Sequence, residues 1–308
     1  MWVNSGGSKG SFATGRFPGR PADRSTENAR WRAALRKFAP SANLRAMSKN
    51  DHSNKDRNKT ALVTGGAKRL GREIALKLAA EGWDVAVHCH KSIDTAEETA
   101  AEIRKLGRRS AVVQADLGRE VEVEGLIPQA SKALGPLTCL VNNASVFEMD
   151  KVDTATRDSW DKHIETNLRA PLVLSQGFAR QLPEGTDGNI VNLLDQRVWK
   201  LTPYFLSYTV AKMGLWTLTR TLALALAPRI RVNGIGPGPT LPSPRQSEEQ
   251  FKAQSAAMPL GHGATPGEIA AGVIYILSSP SMTGQMIALD GGEHLGWQVP
   301  SKGFLPRE

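Results

Sequence analysis

Two side chains four residues apart, Tyr208 and Lys212, could together perform proton transfer. They lie in an apolar-periodic stretch, residues 204–227, that predicts a long helix, and side chains four apart share one face of a helix. A cation beside a phenol favours the phenolate, so we expect Lys212 to lower a tyrosine pKa that is ordinarily about 10. Tyr208 would then exchange protons near neutral pH. Similar pairs are common on solvated helix surfaces, so this interpretation depends on the rest of the chain.

A carboxyl group stands just before this helix. Asp195 follows residues 190–194, an apolar run that predicts a short buried strand. If the sheet is parallel, Asp195 at the carboxyl end of its strand would face the same crevice as Tyr208.

Strand and helix patterns alternate from Thr60 onwards. Strands are predicted at 60–64, 84–89, 110–114, 138–141, 190–194, 230–235 and 286–289, and helices at 69–81, 95–106, 119–134, 160–181, 204–227, 247–257 and 266–279. This alternation predicts an α/β fold, a doubly wound parallel sheet of about seven strands with helices on both faces. We expect a single domain over residues 58–296, followed by a C-terminal tail, 297–308.

The positive charge is concentrated at the amino end. The chain of 308 residues has a formal charge of +9, and residues 1–59 hold 13 basic and 4 acidic residues, which accounts for all of it. Residues 1–57 predict a disordered basic extension. Its stretch 29–47 resembles an organelle transit peptide, although an extension without function is the preferred interpretation. Because the remaining chain is neutral, we expect no nucleic-acid partner.

The cysteines and the hydropathy pattern exclude other classes. Cys89 and Cys139 both lie in apolar strand-like runs, which predicts buried thiols and a reducing compartment. We expect no metal site, because no cysteine or histidine cluster is present. No apolar run is long enough to span a bilayer, and we expect no secretory signal, because the amino end has no apolar h-region. The sequence therefore predicts a cytoplasmic protein with no membrane partner.

A glycine-rich loop, TGGAKRLG, joins the first strand to its helix. Glycines there let the backbone approach a pyrophosphate, which would sit on the positive end of the helix. The loop's predicted cofactor-binding residues are Gly65, Lys68, Arg69, Leu70 and Gly71. The alternative is an ordinary strand–helix turn.

The end of the second strand predicts the choice of cofactor. A carboxylate there would bind the ribose of NADH and repel a 2′-phosphate. The chain instead has His90, Lys91 and Ser92, with no acid before Asp94. These residues, with Arg69, predict NADPH, unless Lys91 merely faces solvent. Asp116 and Leu117 would meet the adenine, and Asn143 and Ala144 the ribose, although Asp and Asn are also common in turns.

Taken together, these motifs resemble the short-chain dehydrogenase/reductase family. The resemblance rests on TGGAKRLG, NNA after the fourth strand, Asn167 in NLRAP, the YTVAK pair and IGPGP, which holds Pro237 and Gly238, and it covers residues 60 to about 295. It implies a Rossmann-type fold in a dimer or tetramer. It also implies that Tyr208 is the general acid, that Lys212 lowers its pKa and holds the nicotinamide ribose, and that Asn167 orders a proton-relay water.

One departure from the family's pattern is informative. The usual serine thirteen residues before the tyrosine is Asp195 here, as in the pteridine reductase and dihydromonapterin reductase branch. Arg69 and the motif NNASxF also resemble that branch, which implies that Phe147 stacks on a pterin and that Ser145 contacts cofactor or substrate. Reduction of a ring C=N needs hydride on carbon and a proton on nitrogen. A buried carboxyl could carry that proton or bind an aminopyrimidine edge.

The substrate pocket is expected to involve the region after the sixth strand. Residues 241–258 are rich in Pro, Ser and Gln, which suits a mobile lid. The predicted pocket wall consists of Trp199, Leu201, Leu206, Pro239 and Leu241, with Arg197 and Arg245 available to an acidic substrate tail. Trp297 is predicted to pack at a subunit interface.

Three hypotheses follow. The first is an NADPH-dependent reductase of a pterin or related small molecule. The second is a reductase of a ketone or 3-oxoacyl thioester, for which Asp195 could be a plain turn residue. The third is a dinucleotide-binding regulatory protein whose basic extension contacts phosphates. The Tyr208–Lys212 pair argues against the third.

Overall fold

The computed structural model of the protein describes residues 59–243 and 245–296. Within these ranges seven parallel strands form one sheet in the order β3-β2-β1-β4-β5-β6-β7. The strands are β1 Thr60–Val63, β2 Asp84–Cys89, β3 Ser110–Gln114, β4 Cys139–Asn142, β5 Gly188–Leu193, β6 Ile230–Pro237 and β7 Met286–Leu289. The predicted single-domain Rossmann-type fold is confirmed. The predicted extension 1–57 and the tail 297–308, with Trp297, lie outside the described residues.

The helices follow the predicted order with small shifts at their ends. They are α1 Arg69–Ala80, α2 Ile93–Lys105, α3 Glu120–Leu134, α4 Arg157–Ile164, α5 Ala170–Gln181, α6 Leu206–Leu226, α7 Glu248–Ala256 and α8 Pro266–Leu277. Capping boxes set the starts of α7 and α8, because Ser247 and Thr265 each bond the backbone N–H three residues on, and Gln250 and Glu268 bond back.

One predicted helix is interrupted. The stretch 160–181, expected to be continuous, consists of α4, a π-helical turn at Glu165–Arg169, and α5. A π-helical turn has hydrogen bonds between residues five apart, one more than in an α-helix, and such turns are frequent at functional sites. Asn167 lies within this one.

Alternating side chains of the buried strands form a core on each side of the sheet. In β1, Ala61 and Val63 join the cluster beneath α1, α2 and α8, whereas Leu62 joins the cluster beneath α3, α5 and α6. Because successive side chains of a strand point to opposite faces, a strand covered on both faces must be apolar throughout. This is why the strands are continuous apolar runs.

The strand order creates the crevice. β1 pairs with β2 on one side and with β4 on the other. Strands β1 to β3 therefore extend the sheet in one direction, and strands β4 to β7 extend it in the opposite direction. In doubly wound sheets, ligands bind outside the carboxyl ends of the strands at such a point. Among the described helices, none is both long and apolar enough to cross a membrane.

Candidate active site

The loop between β1 and α1 has a backbone that favours glycine. Gly65 has φ of +62°, in the left-handed region. A Cβ on Gly71 would lie 2.1 Å from the Gly65 carbonyl oxygen, so loop and helix meet at a distance that excludes any side chain. Lys68, at the N-cap of α1, makes no side-chain capping hydrogen bond, which leaves the first N–H groups of the helix for an anion.

A buried histidine, which the sequence analysis missed, supports this loop from below. The Gly65 N–H donates to Nδ1 of His88 over 3.0 Å, and Nε2 of His88 lies 3.1 Å from the Ala115 carbonyl oxygen. Because Nδ1 accepts, Nε2 carries the proton and donates to Ala115. Burial lowers the pKa of His88 to about 4, so the ring stays neutral in this arrangement. The signal in the sequence was His88 itself, a polar residue within the apolar run that follows Asp84 in β2.

A cavity of about 530 Å³ extends along this loop, within the usual range for small-ligand pockets. Its lining includes most of the predicted cofactor-binding residues: Gly65, Lys68, Arg69, Leu70, Gly71, His90, Lys91, Ser92, Asp116, Leu117, Asn143, Ala144 and Ser145. Pro237 and Gly238 line the neighbouring cavity instead. Thr166, from the π-helical turn, and Val146 also line the larger cavity and were not predicted.

Positive charge outweighs negative charge in this cavity. Lys68, Arg69 and Lys91 supply three cations, and Asp116 supplies the one carboxylate among the described lining residues. Asp116 already accepts the Gly118 N–H over 2.9 Å. The electrostatic balance therefore favours an anionic ligand, including one with a phosphate near Lys91.

The second cavity lies at the first turns of α6, where the two predicted catalytic side chains are buried. The Tyr208 hydroxyl donates to Oδ2 of Asp195 over 2.7 Å, and Nζ of Lys212 donates to the Leu193 carbonyl oxygen over 2.7 Å. Lys212 Nζ lies 5.7 Å from the centroid of the Tyr208 ring. Burial lowers the pKa of Lys212 to about 8, although the charge of Asp195 acts in the opposite direction.

Asp195 is held by a neighbour that the sequence analysis assigned to the substrate. The Arg197 N–H donates to Oδ1 of Asp195 over 2.8 Å, and the Arg197 guanidinium pairs with Oδ2 over 3.2 Å. Arg197 also lies 5.3 Å from the Phe147 ring centroid and 5.1 Å from that of Phe205. The structure thus makes Arg197 a partner of Asp195, which also accepts a hydrogen bond from the Tyr208 hydroxyl. The predicted role of Asp195 as a proton carrier stays a prediction.

Phe147 lines one side of this second cavity as an aromatic wall, and Phe205, which packs against it, is buried outside the lining. The rings of Phe147 and Phe205 are stacked with centroids 4.5 Å apart, and the edge contact between Phe147 and Tyr208 measures 4.6 Å. Stacked rings present a flat apolar surface, which suits a planar ligand. Other lining residues of this cavity include Pro239, Leu241, Phe251 and Gln254.

Asn167 uses its amide within the protein. Its Oδ1 accepts the Val146 N–H over 2.9 Å and the Ser145 hydroxyl over 3.2 Å, and its Nδ2 donates to the Val146 carbonyl oxygen over 2.8 Å. These bonds tie the π-helical turn to the loop after β4. The predicted role in ordering a water stays a prediction.

Two arginines join the loop after β6 to the rest of the site. Arg69 donates to the Pro242 carbonyl oxygen over 3.0 Å, and Arg245 donates to the Phe147 carbonyl oxygen over 2.7 Å. Arg245, expected to meet a substrate tail, therefore contacts the loop that carries the aromatic wall. The segment predicted as a lid is attached at both cavities.

Three residues predicted to form the substrate pocket wall are absent from the lining of the second cavity, the one beside Tyr208. Trp199 is 45% exposed and packs against His294, with ring centroids 5.0 Å apart. The 3-10 turn Gln196–Val198 directs Arg197 to the cavity and leaves Trp199 outside it. Leu201, which is 66% exposed, and Leu206 also lie outside the lining.

Glu293 is a cavity residue that the sequence did not reveal. It lines the cavity with Asp195 and Arg197, although it lies about a hundred residues later in the chain. Burial raises the pKa of Glu293 to about 7, with the charge of Arg197 opposing this shift. Among the described residues no cluster of three or more His, Cys, Asp or Glu could hold a metal ion.

Comparison with known proteins identifies the family. The chain matches the short chain dehydrogenase family over residues 59–253 and belongs to it. The 3-oxoacyl-[acyl-carrier-protein] reductase FabG of Staphylococcus epidermidis is 33% identical over 243 residues, which cover 77% of this chain and 100% of that protein. The probable 2,4-dienoyl-CoA reductase of Bacillus subtilis is 32% identical over 248 residues, or 77% of this chain and 97% of that protein.

Among solved structures, FolM alternative dihydrofolate reductase 1 of Brucella canis, complexed with NADP, is 50% identical with a TM-score of 0.77. The match covers 80% of this chain and 97% of that one. A short chain dehydrogenase of Burkholderia cenocepacia in complex with NADP is 34% identical with a TM-score of 0.72, covering 76% and 97%. The predicted resemblance to the family and to its pteridine-reductase-like branch is confirmed.

Proposed function

We propose that this protein reduces a pterin or a closely related nitrogen heterocycle, with NADPH as the source of hydride. The observation that carries the proposal is the contact of Tyr208 with Asp195 over 2.7 Å beside the ring of Phe147. A planar heterocycle requires a flat wall and a proton donor at one edge, and these three side chains supply both. The 50% identity to FolM alternative dihydrofolate reductase 1 supports this choice of substrate.

The protein is an NADPH-dependent short-chain oxidoreductase, and its own residues fit that cofactor. The close approach of Gly71 to Gly65 and the uncapped start of α1 accommodate a pyrophosphate. Lys91 and Arg69 provide positive charge for a 2′-phosphate. Bound NADPH supplies hydride to the substrate carbon.

The remaining chemistry belongs to the side chains. The Tyr208 hydroxyl gives its proton to the substrate nitrogen that receives the electron pair of the C=N bond. The phenolate that remains is stabilised by the Lys212 ammonium, 5.7 Å from the ring centroid, and regains a proton from solvent. Asp195 orients the Tyr208 hydroxyl before this transfer and accepts hydrogen bonds from the amino-bearing edge of the ring during it.

A second candidate function is reduction of a 3-oxoacyl thioester, favoured by the 33% identity to FabG of Staphylococcus epidermidis. The Tyr208–Lys212 pair serves a ketone equally well, because a carbonyl oxygen also needs one proton. Asp195 distinguishes the two functions. A ketone has no amino edge for a carboxylate to bind, whereas an aminopyrimidine ring has one.

The deciding experiment follows NADPH oxidation by the purified protein with a dihydropterin, a quinonoid dihydropterin, dihydrofolate, a 3-oxoacyl thioester and a diketone. We expect turnover of a pterin or folate substrate, lost in Tyr208→Phe and strongly reduced in Asp195→Ser. Turnover of the oxo compounds alone would establish the second candidate. Binding of NADPH without turnover of any substrate would support a regulatory protein instead.

The predictions about the basic extension, the oligomeric state and the cellular location stay predictions. A variant lacking residues 1–57 should keep its activity, because the described residues 59–243 and 245–296 contain both cavities. A nucleic-acid binder acting through the basic extension would lose salt-dependent affinity in the same variant. The expected dimer or tetramer and the cytoplasmic location are open to measurement by light scattering and fractionation.

A further inference from the structure

The helix that carries Tyr208 begins without a cap of its own. Phe205, at the N-cap of α6, has φ of 58° and makes no side-chain capping hydrogen bond. The cap comes from Asp150, more than fifty residues earlier, which is 3% exposed. Its Oδ1 accepts the Ser207 N–H over 3.1 Å, and its backbone carbonyl accepts the Leu206 N–H over 3.3 Å. A carboxylate at this end also complements the helix dipole.

A chain of hydrogen bonds leads from this cap to a buried histidine. The Glu148 N–H donates to Nε2 of His163 over 3.2 Å, so Nδ1 carries the ring proton. Nδ1 lies 2.7 Å from the Ser207 oxygen and donates to it, and the Ser207 hydroxyl donates to Oδ2 of Asp150. His163 and Ser207 are fully buried. Every bond in the chain therefore has one direction only.

The protonation states of His163 and Asp150 agree with the direction of these hydrogen bonds. Burial lowers the pKa of His163, which keeps the ring neutral, although the Asp150 charge opposes this. Burial acts to raise the pKa of Asp150, but the hydrogen bonds from Ser207 and Ser159 outweigh it and bring the pKa below the usual value. A neutral imidazole and an ionised carboxylate are the two states that the hydrogen bonds require.

This network joins the two halves of the proposed reaction site. Asp150 and Glu148 belong to the loop after β4, which also carries Phe147. Ser207 directly precedes Tyr208, and His163 comes from α4. The Tyr208 ring lies 4.6 Å from the Phe147 centroid and 5.9 Å from the His163 centroid, in edge contact with both. A shift of the network would therefore move the proton donor relative to the aromatic wall.

We propose that Asp150, Ser207 and His163 are positioning residues that fix Tyr208 against the wall formed by Phe147. The inference rests on the proposed function, in which Tyr208 gives the proton and Phe147 holds the planar substrate. Of the three residues, none lines either cavity, so each acts through Tyr208. Displacement of a proton donor lowers the rate of transfer more than it weakens binding.

The test begins with Asp150→Asn, which keeps the shape of the side chain. If the Asn oxygen still accepts the Ser207 N–H, its NH₂ faces the Ser207 oxygen, and the hydroxyl must turn towards His163. The ring proton would then move to Nε2, opposite the Glu148 N–H, and two donors would face each other. We expect kcat to fall about tenfold to a hundredfold with unchanged Kd for NADPH. The control is Asp153→Asn, an exposed change in the same loop, which should leave kcat unaffected.

The second pair of variants tests whether the residues act as one unit. Ser207→Ala removes the hydroxyl, with Thr221→Ala on the exposed side of α6 as its control. In the double variant Asp150→Asn/Ser207→Ala, His163 keeps its proton on Nδ1, because no Ser207 hydroxyl forces that proton to move to Nε2. We therefore expect the double variant to have a kcat equal to or above that of Asp150→Asn alone.

Thermal unfolding separates positioning from stability. Loss of melting temperature with kcat at the level of the controls would overturn the proposal, as would additive losses in the double variant. The measurements use whichever substrate the unmodified protein turns over. Failure of the proposed pterin activity would therefore be evident from the unmodified protein, independently of how kcat of each variant compares with that of the unmodified protein.

Discussion

Arg197 forms an ion pair with Asp195 over 3.2 Å while its guanidinium lies 5.3 Å from the ring of Phe147. One side chain thus connects the acceptor of the Tyr208 hydroxyl to the aromatic wall. The side chains of both partners are nearly buried, with 13% and 11% exposed, so the pair is poorly screened by solvent. Substitution at either position leaves the other charge without this partner.

Changing Asp195 should separate the two candidate substrates. Asp195→Ser removes the acceptor of the Tyr208 hydroxyl and the partner for an amino edge. Since a hydrogen bond to a charged group contributes about 1.5–3 kcal/mol, kcat/KM for a pterin should fall about tenfold to a hundredfold. Activity on a diketone should change much less, because serine can serve a carbonyl. Equal losses on both substrates would contradict the proposed role in substrate recognition.

Arg197 offers a matched pair of variants. Arg197→Lys keeps the positive charge near Asp195 but loses the flat contact with Phe147, whereas Arg197→Met keeps apolar contact and loses the charge. If the ion pair positions Asp195, kcat/KM should decrease in the order unmodified protein, Lys variant, Met variant. Better activity in the Met variant than in the Lys variant would show that the stacking contact matters more than the charge.

The pH dependence of the reaction should reflect Lys212. With its pKa lowered to about 8 by burial, the ammonium loses its charge as pH rises through that value, and kcat should decline. Lys212→Arg should move the decline to higher pH, because guanidinium does not titrate there. A decline unchanged in this variant would assign it to another group.

The same shift predicts a change in stability with pH. Lys212 has a pKa of about 8 when folded against 10.5 for the free side chain, so between these values the unfolded chain binds more protons. The contribution of this group to the free energy of unfolding should therefore rise with pH across that window. Denaturant titrations of the unmodified protein and of Lys212→Met, compared at each pH, measure it, and a difference between them that is flat with pH would contradict the prediction.

Cofactor choice should depend on Lys91. Lys91→Glu places a carboxylate at the end of β2, where it would repel a 2′-phosphate. We expect the KM for NADPH to rise about tenfold or more, as for loss of a charge-assisted hydrogen bond, with little change for NADH. Added salt should weaken NADPH binding to the unmodified protein more than to the variant. An unchanged preference would mean that Lys91 faces solvent.

Glu293 should make substrate binding sensitive to pH near neutrality. Its pKa of about 7 means that the cavity gains a negative charge as pH rises through that value. For a substrate with an amino-bearing edge, KM should therefore fall as pH rises from 6 to 8, about one unit on either side of that pKa. Glu293→Gln should give a flat profile. A pH dependence preserved in this variant would exclude Glu293 as its source.

Local patterns in the sequence predicted the fold well, because they record physical requirements of single elements. Strands covered on both faces must be apolar throughout, and helices show their buried side at every third or fourth position. The break in the helix predicted over 160–181 was missed, since the π turn around Asn167 is held by contacts with Ser145 and Val146 from a distant loop. No periodicity within the helix records those contacts.

The sequence by itself determined the element order, the glycine loop and the Tyr208–Lys212 pair, because each depends on neighbours within a few residues. The tertiary structure alone decided that Arg197 turns to Asp195 while Trp199 turns outward, and that Glu293 enters the cavity. It also decided that Asp150 caps the helix of Tyr208. The positions of Glu293 and Asp150 join residues from separate loops, and they form only where the carboxyl ends of parallel strands bring those loops to one edge of the sheet.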